Sequence, residues 1–145
     1  MACPSFPSTY PRSWSAGPLI GLLNANDQWH RWSSDTLSAL DEPLLTTETV
    51  LAEVCHRLVR ARAALQIVTL MIAEGRLVIA PVLAENPERV ADLLNRYAEM
   101  DLGDGTLVAL SERIPQARQV TLDRRDFSRY RRADGAPVPS IMPAA

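Results

Sequence analysis

Three acidic residues stand in contexts from which they could act together on a metal ion. Glu53 lies inside a long helical pattern, Asp104 opens another helical segment, and Asp123 ends a short apolar strand, with Asp126 three residues later. Because the carboxyl ends of parallel strands meet at one edge of a sheet, widely separated carboxylates can converge there. Such a group would bind Mg²⁺ or Mn²⁺, hard cations that prefer oxygen ligands. The ion would lower the pKa of a bound water and neutralise charge on a phosphodiester under attack.

Each of these acids also has an ordinary structural explanation. Glu53 could pair with Arg57 at i,i+4, which is worth ~0.3–0.5 kcal/mol on a helix surface. Asp104 could be a helix N-cap, Asp123 could begin a turn, and Asp126 could cap the segment that follows it. Spacing alone therefore predicts only an α/β domain of open function.

The segments around the acids alternate between strand and helix patterns. Short apolar runs predict strands at 44–45, 77–79 and 120–122. Capping residues and helical spacing predict helices that begin near Pro18, Asp27, Thr46 or Thr47, Asn86 and Thr106, and one over 63–73 that ends at Gly75. This alternation is typical of an α/β domain with a mainly parallel sheet.

Composition narrows the class of protein. The chain has 145 residues, enough for one domain with a real core, and its net charge of -2 gives no sign of a globally basic nucleic-acid coat. Cys3 and Cys55 show neither a disulfide framework nor zinc-ligand spacing. No apolar run approaches the ~18 residues that span a membrane, and residues 1–14 lack the design of a signal peptide. We therefore expect a cytoplasmic protein.

Both ends of the chain are rich in proline, which cannot donate ladder or helix hydrogen bonds. We expect an irregular N-terminal segment at 1–14, a folded domain at 15–132 and a disordered tail at 133–145. The six prolines concerned are Pro4, Pro7, Pro11, Pro137, Pro139 and Pro143.

Four segments, in the right order and spacing, resemble the motifs of VapC-type PIN domains. Any one of them is weak evidence, but four in order over about residues 17–132 are fairly specific. They are GPLIGLLNANDQWH at 17–30, LTTETVLAEV at 45–54, DLGDGTLVAL at 101–110 and TLDRRDF at 121–127.

The resemblance implies a three-layer α/β fold, with a mainly parallel sheet of about five strands and helices on both faces. It implies metal-dependent endonucleolytic cleavage of RNA, with Mg²⁺ or Mn²⁺ as cofactor, by the toxin of a type II toxin–antitoxin system. The implied partners are the RNA substrate, a small antitoxin whose tail covers the site, and a second copy in a homodimer.

The resemblance also assigns roles to residues. Glu53, Asp104 and Asp123 would be the metal-binding and catalytic acids, and Asp126 would be a further ligand or a support for the site. Thr46 and Thr47 match positions that are often polar near the metal. Arg124 and Arg125 belong to a basic run that could position phosphates or simply form a solvated end.

One family position is different in this chain. The first family acid precedes the Gly-Pro pair by two residues, and here that position is Ser15, whose neutral hydroxyl is a poor substitute for a carboxylate on a divalent ion. Segment 8–14 is poor material for the apolar first strand of the family, since Pro11 cannot donate to a central ladder. A frame change near the start of the coding sequence is one explanation.

These observations leave three hypotheses. The first is an active metal-dependent ribonuclease of the VapC toxin type. The second is a catalytically impaired PIN-like module that binds antitoxin or RNA, which is motivated by Ser15. The third is an unrelated small α/β domain, which would require the three acids to lie far apart.

Overall fold

A computed structural model describes residues 10–145 of the chain. In chain order this part forms β1 (Arg12–Trp14), α1 (Ala16–Leu23), α2 (His30–Ser38), β2 (Leu44–Thr47), α3 (Glu48–Arg57), α4 (Arg62–Ala73), β3 (Leu77–Ala80), α5 (Val82–Glu85), α6 (Pro87–Arg96), α7 (Leu102–Arg113), β4 (Arg118–Val120), α8 (Arg124–Arg129) and β5 (Ser140–Ile141).

The strands pair in parallel throughout. β1 pairs with β4, β4 with β5, and β2 with β3. β1 also contacts β2, because Thr46 Oγ1 donates a 2.7 Å hydrogen bond to the carbonyl oxygen of Trp14. β1 therefore lies where the three-stranded and the two-stranded parts of the sheet meet. The predicted α/β domain with a mainly parallel sheet is confirmed.

The N-terminal segment is not irregular where the structure describes it, so that prediction is wrong for residues 12–14. Arg12, Ser13 and Trp14 form β1 and are almost fully buried. Pro11 fits because it precedes the strand and needs no donor there; its carbonyl accepts from Arg118 N at 2.9 Å. The predicted coil at residues 1–9 lies outside the described part of the chain.

The polar residues of β1 are stabilised by distant partners. Ser13 Oγ donates to Gln119 Oε1 at 2.7 Å, and Arg12 Nε donates to Glu42 Oε1 at 2.6 Å. Buried polar groups need such partners, because each unmade hydrogen bond costs about 1–3 kcal/mol. The local sequence does not show these partners, and this is why the strand was not expected.

The predicted disordered tail at 133–145 is also wrong, because the C-terminal residues complete the sheet. Gln119 N donates to the carbonyl of Pro139, and Thr121 N donates to that of Ile141 at 3.1 Å. Val138 is buried in the core. The prolines of the tail can join because they sit beside a strand at the edge of the sheet, where a missing donor is tolerated.

The helices follow their predicted signals with some shifts at the ends. Thr47 caps α3, since its Oγ1 accepts from Val50 N at 3.3 Å, and Gly75 follows α4 with a φ of +74°. The helix expected at Thr106 begins at Leu102, because Asp101 is its N-cap. This helix, α7, is buried on most sides, which explains its weak amphipathic pattern. No helix among residues 10–145 is long and apolar enough to span a membrane.

Candidate metal centre

A polar cavity of about 180 Å³ opens where the carboxyl ends of β1 and β4 meet the start of α7 and one face of α3. In open parallel sheets this edge is where ligands bind. Apart from apolar and glycine residues, its walls consist of Ser15, Glu53, Arg57, Asp101, Asp104, Thr121 and Asp123.

Strand ends and one helix start place these side chains. Ser15 follows β1 directly, and its backbone N–H donates to Val120 O at 3.0 Å, so β1 and β4 end at the same level. Asp123 lies three residues beyond β4 and Asp104 lies in the first turn of α7. Residues that are distant in the sequence therefore meet at one edge of the sheet.

Asp104, Asp123 and Asp126 form the tightest acidic group among the described residues. Each offers a carboxylate oxygen, and these three atoms lie within 4.8 Å of one another. Glu53 lines the same cavity but is outside this group. Gly103 lies beside Glu53: a Cβ atom built there would lie 3.8 Å from Glu53 Oε2. The predicted acids thus share one cavity, with Asp104 and Asp123 clustered and Glu53 outside the cluster.

The Asp104 carboxyl is the most perturbed group in the cavity. Burial raises its pKa to about 7, and the nearby carboxylates of Asp101, Asp123 and Asp126 add to the rise. A hydrogen bond from Tyr130 opposes it. Burial and neighbouring like charges both disfavour the ionised form of this carboxyl.

Asp126 shows the same effect in weaker form. Partial burial and its hydrogen-bonded neighbour Asp123 raise its pKa, while Arg129 and Arg125 lower it. Asp123 Oδ1 accepts from Asp126 N at 2.9 Å, so Asp123 caps α8 as well as facing the cavity. The cap expected of Asp126 is therefore made by Asp123 instead, in addition to the place of Asp123 in the cavity wall.

The ordinary explanations for the other two acids do not hold in the structure. Asp101, not Asp104, caps α7 by accepting from Asp104 N at 2.8 Å. Within residues 10–145 no ion pair joins Glu53 to Arg57, although both line the cavity.

Ser15 occupies the cavity wall as the family pattern requires of its first acid. Only 8% of it is exposed, and its Oγ donates to Val120 O at 3.0 Å. The strand that precedes this position is present. The site therefore lacks a carboxylate at Ser15, although the backbone that would place one there is formed.

Thr46 and Thr47 do not reach the cavity, and the role near the metal expected for them is not supported. Both are fully buried, and their hydroxyls hold the fold together. Thr46 donates to Trp14 O, and Thr47 shares a 2.8 Å hydrogen bond with Thr106 Oγ1. Neither hydroxyl is free to contact a ligand.

Arg124 and Arg125 are exposed on α8, beside Asp123, and do not line the cavity. Arg124 donates to the carbonyl of Pro143, and Arg125 lies 3.7 Å from Glu99 Oε2. An exposed ion pair at that distance is weak, so Arg125 remains able to contact another anionic group.

Sequence reasoning missed three residues of this site. Arg57 was considered only as a partner for Glu53, although i,i+4 spacing puts both on one face of α3. Asp101 was missed because the cap was sought later in the segment. Tyr130, whose hydroxyl donates to Asp104 Oδ2 at 2.9 Å, had no sequence signal at all.

Comparison with known proteins agrees with the fold that carries this site. Residues 16–133 match the family model of the PIN domain. The chain is similar in structure to VapC20 of Mycobacterium tuberculosis, a sarcin–ricin loop cleaving toxin, with a TM-score of 0.64 and 20% identity over 74% of this chain and 85% of that one. It is also similar to a toxin–antitoxin complex from Klebsiella pneumoniae, with a TM-score of 0.63 and 17% identity over 88% and 97%. No curated protein matches it by sequence.

Proposed function

Because the chain belongs to the PIN domain family, we propose that it is a metal-dependent endoribonuclease, the toxin of a type II toxin–antitoxin pair. The observation that carries the proposal is the group of Asp104, Asp123 and Asp126, of which Asp104 and Asp123 line a cavity at the carboxyl edge of a parallel sheet. RNA as the substrate is supported by the neighbour described as cleaving the sarcin–ricin loop. Cytoplasmic action on RNA is part of the proposal.

The three carboxylates fit a divalent ion. Opposite oxygen ligands of Mg²⁺ lie about 4.2 Å apart, twice the metal–oxygen distance of about 2.1 Å. Neighbouring oxygens of the same octahedron lie about 3 Å apart. Three carboxylate oxygens within 4.8 Å of one another are therefore close to the span of one coordination sphere. Burial first, and then the neighbouring carboxylates, raise the pKa of Asp104, and a bound cation would favour its ionised form. Mg²⁺ and Mn²⁺ are the cofactors proposed, since all the donors are oxygens.

Asp104, Asp123 and Asp126 would hold the ion, which would supply a more acidic water and neutralise charge on the phosphate. Glu53, exposed on the wall of the same cavity, would orient the attacking water and take its proton. Tyr130 would keep the Asp104 carboxylate in one orientation. The products would be two RNA fragments from hydrolysis of one phosphodiester bond.

The partner proposed is a small antitoxin protein whose tail covers this cavity. The similarity to a toxin–antitoxin complex supports it. A homodimer is proposed on the same family grounds.

The test is cleavage of a labelled RNA by the purified chain with Mn²⁺, with EDTA, and after Asp104→Asn. Metal-dependent cleavage that disappears with Asp104→Asn is the expected result. Cleavage that persists in EDTA or in the variant would exclude this site as its source.

Ser15 favours a second candidate, a PIN module that binds antitoxin or RNA but cleaves poorly. One carboxylate fewer weakens the charge that holds a divalent ion. Antitoxin binding without cleavage by this chain, with cleavage gained on Ser15→Asp, would establish the second candidate in place of the first.

A further inference from the structure

One basic side chain lines the cavity among the described residues, and it forms no ion pair with the acids there. Among the described residues that line the cavity, Arg57 is the only basic one, beside the four acids Glu53, Asp101, Asp104 and Asp123. Within residues 10–145 no ion pair joins Arg57 to any of these four acids. Arg57 therefore does not neutralise the acids that would hold the metal.

The Arg57 side chain is also uncommitted to the fold. It is exposed, and no hydrogen bond or ion pair ties it to any other residue within 10–145. Arg124 and Arg125, in contrast, contact Pro143 and Glu99. An arginine that stands free at the wall of an acidic cavity is available to a ligand.

The position of Arg57 along α3 indicates which part of a bound ligand it would contact. It lies four residues after Glu53, one helical turn or about 6 Å along the same face. Glu53 lines the same cavity as Asp104 and Asp123, so Arg57 lies one turn along α3 from a residue beside the place where chemistry would occur. A chain passing through the cavity would reach Arg57 just before or just after its reacting unit.

We propose that Arg57 binds a backbone phosphate of the RNA next to the bond that is cleaved, and so draws a polyanion to an acidic cavity. This inference rests on the proposed function and names a subsite of it. The chemical reason is repulsion: four carboxylates disfavour a phosphodiester chain even after one divalent ion is bound. A guanidinium offers two parallel donors to a phosphate, which makes it suited to this contact.

The test compares Arg57→Gln with Arg60→Gln. Arg60 is a matched control, since it is exposed three residues later and does not line the cavity. Binding of a fluorescent single-stranded RNA is measured in Ca²⁺ over a range of salt concentrations. Mn²⁺ affinity is measured by calorimetry on the same proteins.

Arg57→Gln is expected to weaken RNA binding roughly tenfold, the loss of one charged hydrogen-bonding contact. It should also reduce the slope of log K against log salt by about 0.7, one phosphate contact on a single strand. Arg57→Lys should restore the salt slope but only part of the affinity, because Lys is a point charge. Mn²⁺ affinity should stay the same or rise, and where RNA is cleaved the KM should rise more than kcat falls.

Each contrary result has one meaning. RNA binding that changes equally in Arg57→Gln and Arg60→Gln overturns the subsite and leaves the nuclease proposal intact. Weaker Mn²⁺ binding in Arg57→Gln also overturns it, because Arg57 would then support the acids. Weaker RNA binding in a chain that cleaves nothing supports the subsite and counts against the nuclease. A parent chain that binds no RNA overturns both.

Discussion

Tyr130 and Asp104 are joined by a 2.9 Å hydrogen bond from the tyrosine hydroxyl to Oδ2 of the carboxyl, across 26 residues of sequence. The Tyr130 ring is buried, and it packs edge-on against Tyr97 and Phe127 with ring centroids 5.1 Å and 5.2 Å away. Burial and the neighbouring Asp104 raise the pKa of Tyr130, so its hydroxyl stays protonated and can only donate to this carboxylate. One Asp104 oxygen is therefore held, and the other is left for a cation.

Tyr130→Phe removes this hydroxyl and keeps the ring. Hydrogen bonds to the side chain of a metal ligand typically change metal affinity 10- to 100-fold. Because Tyr130 is a single partner of one ligand, we expect Mn²⁺ affinity to fall by roughly tenfold, with the unfolding free energy lower by about 1 kcal/mol. Calorimetry and urea unfolding measure the two quantities. Tyr97→Phe removes a hydroxyl from the same aromatic group, one that accepts from Arg131 N, and should leave Mn²⁺ affinity unchanged.

The stability of the metal-free chain should fall as pH rises from about 4 to about 7. The folded pKa of Asp104, about 7, is above the unfolded value of about 3.9. Within that window the folded state holds a proton that the unfolded state has lost, and by linkage the unfolding free energy decreases with pH. Thermal unfolding in EDTA at pH 5 and pH 8 measures this decrease. Asp104→Asn should shrink it, and an identical pH dependence in both proteins would contradict the assignment.

Ser15→Asp should increase Mn²⁺ affinity by at least roughly tenfold, since it adds a carboxylate to a cavity wall that already carries the ligands. The change sacrifices the hydrogen bond from Ser15 Oγ to Val120 O, at a cost of about 1 kcal/mol of stability. Ser15→Ala removes the same hydrogen bond without adding a charge and is the control for calorimetry. Equal Mn²⁺ affinity in the two variants would show that this position does not face the ion.

Glu42→Gln should lower the unfolding free energy by about 2–4 kcal/mol. Arg12 and Glu42 form an ion pair at 2.6 Å, with side chains only 3% and 10% exposed, and removing one charge leaves the other buried. Glu74→Gln is the matched control, because its pair with Arg76 is exposed and spans 3.9 Å. That control should change stability by less than about 0.5 kcal/mol. Equal effects in urea unfolding would mean that β1 is not held in place as described.

Ending the chain after Ala136 should destabilise it by about 2 kcal/mol or more. The truncation removes β5, the buried Val138 and the carbonyls that accept from Gln119 N and Thr121 N. Removing only the exposed Ala144 and Ala145 is the control and should be neutral. A chain ending at Ala136 with unchanged urea unfolding would restore the expectation of a disordered tail.

The sequence predicted the parts of this molecule that depend on local pattern. The parallel α/β fold and the approach of Asp104 to Asp123 follow from apolar strands, helix caps and motif order. β1 could not be predicted in this way, because burial of Arg12 and Ser13 depends on hydrogen bonds to Glu42 and Gln119, which lie far along the chain. β5 likewise depends on its pairing with β4. The hydrogen bond from Tyr130 could not be predicted for the same reason, because a tertiary contact leaves no periodic pattern in the sequence.

The pairing of β1 with β4 also sets an order of events during synthesis. Ser13 gains its buried hydrogen-bond partner only after Gln119, 106 residues later, has been synthesised. Asp123 and Asp126 leave the ribosome later still, and β5 follows them. Contacts this distant in sequence form slowly and late. The acidic cavity therefore cannot exist on a nascent chain that stops short of Asp126: whatever chemistry it performs begins only after the residues of β4 and α8 have emerged.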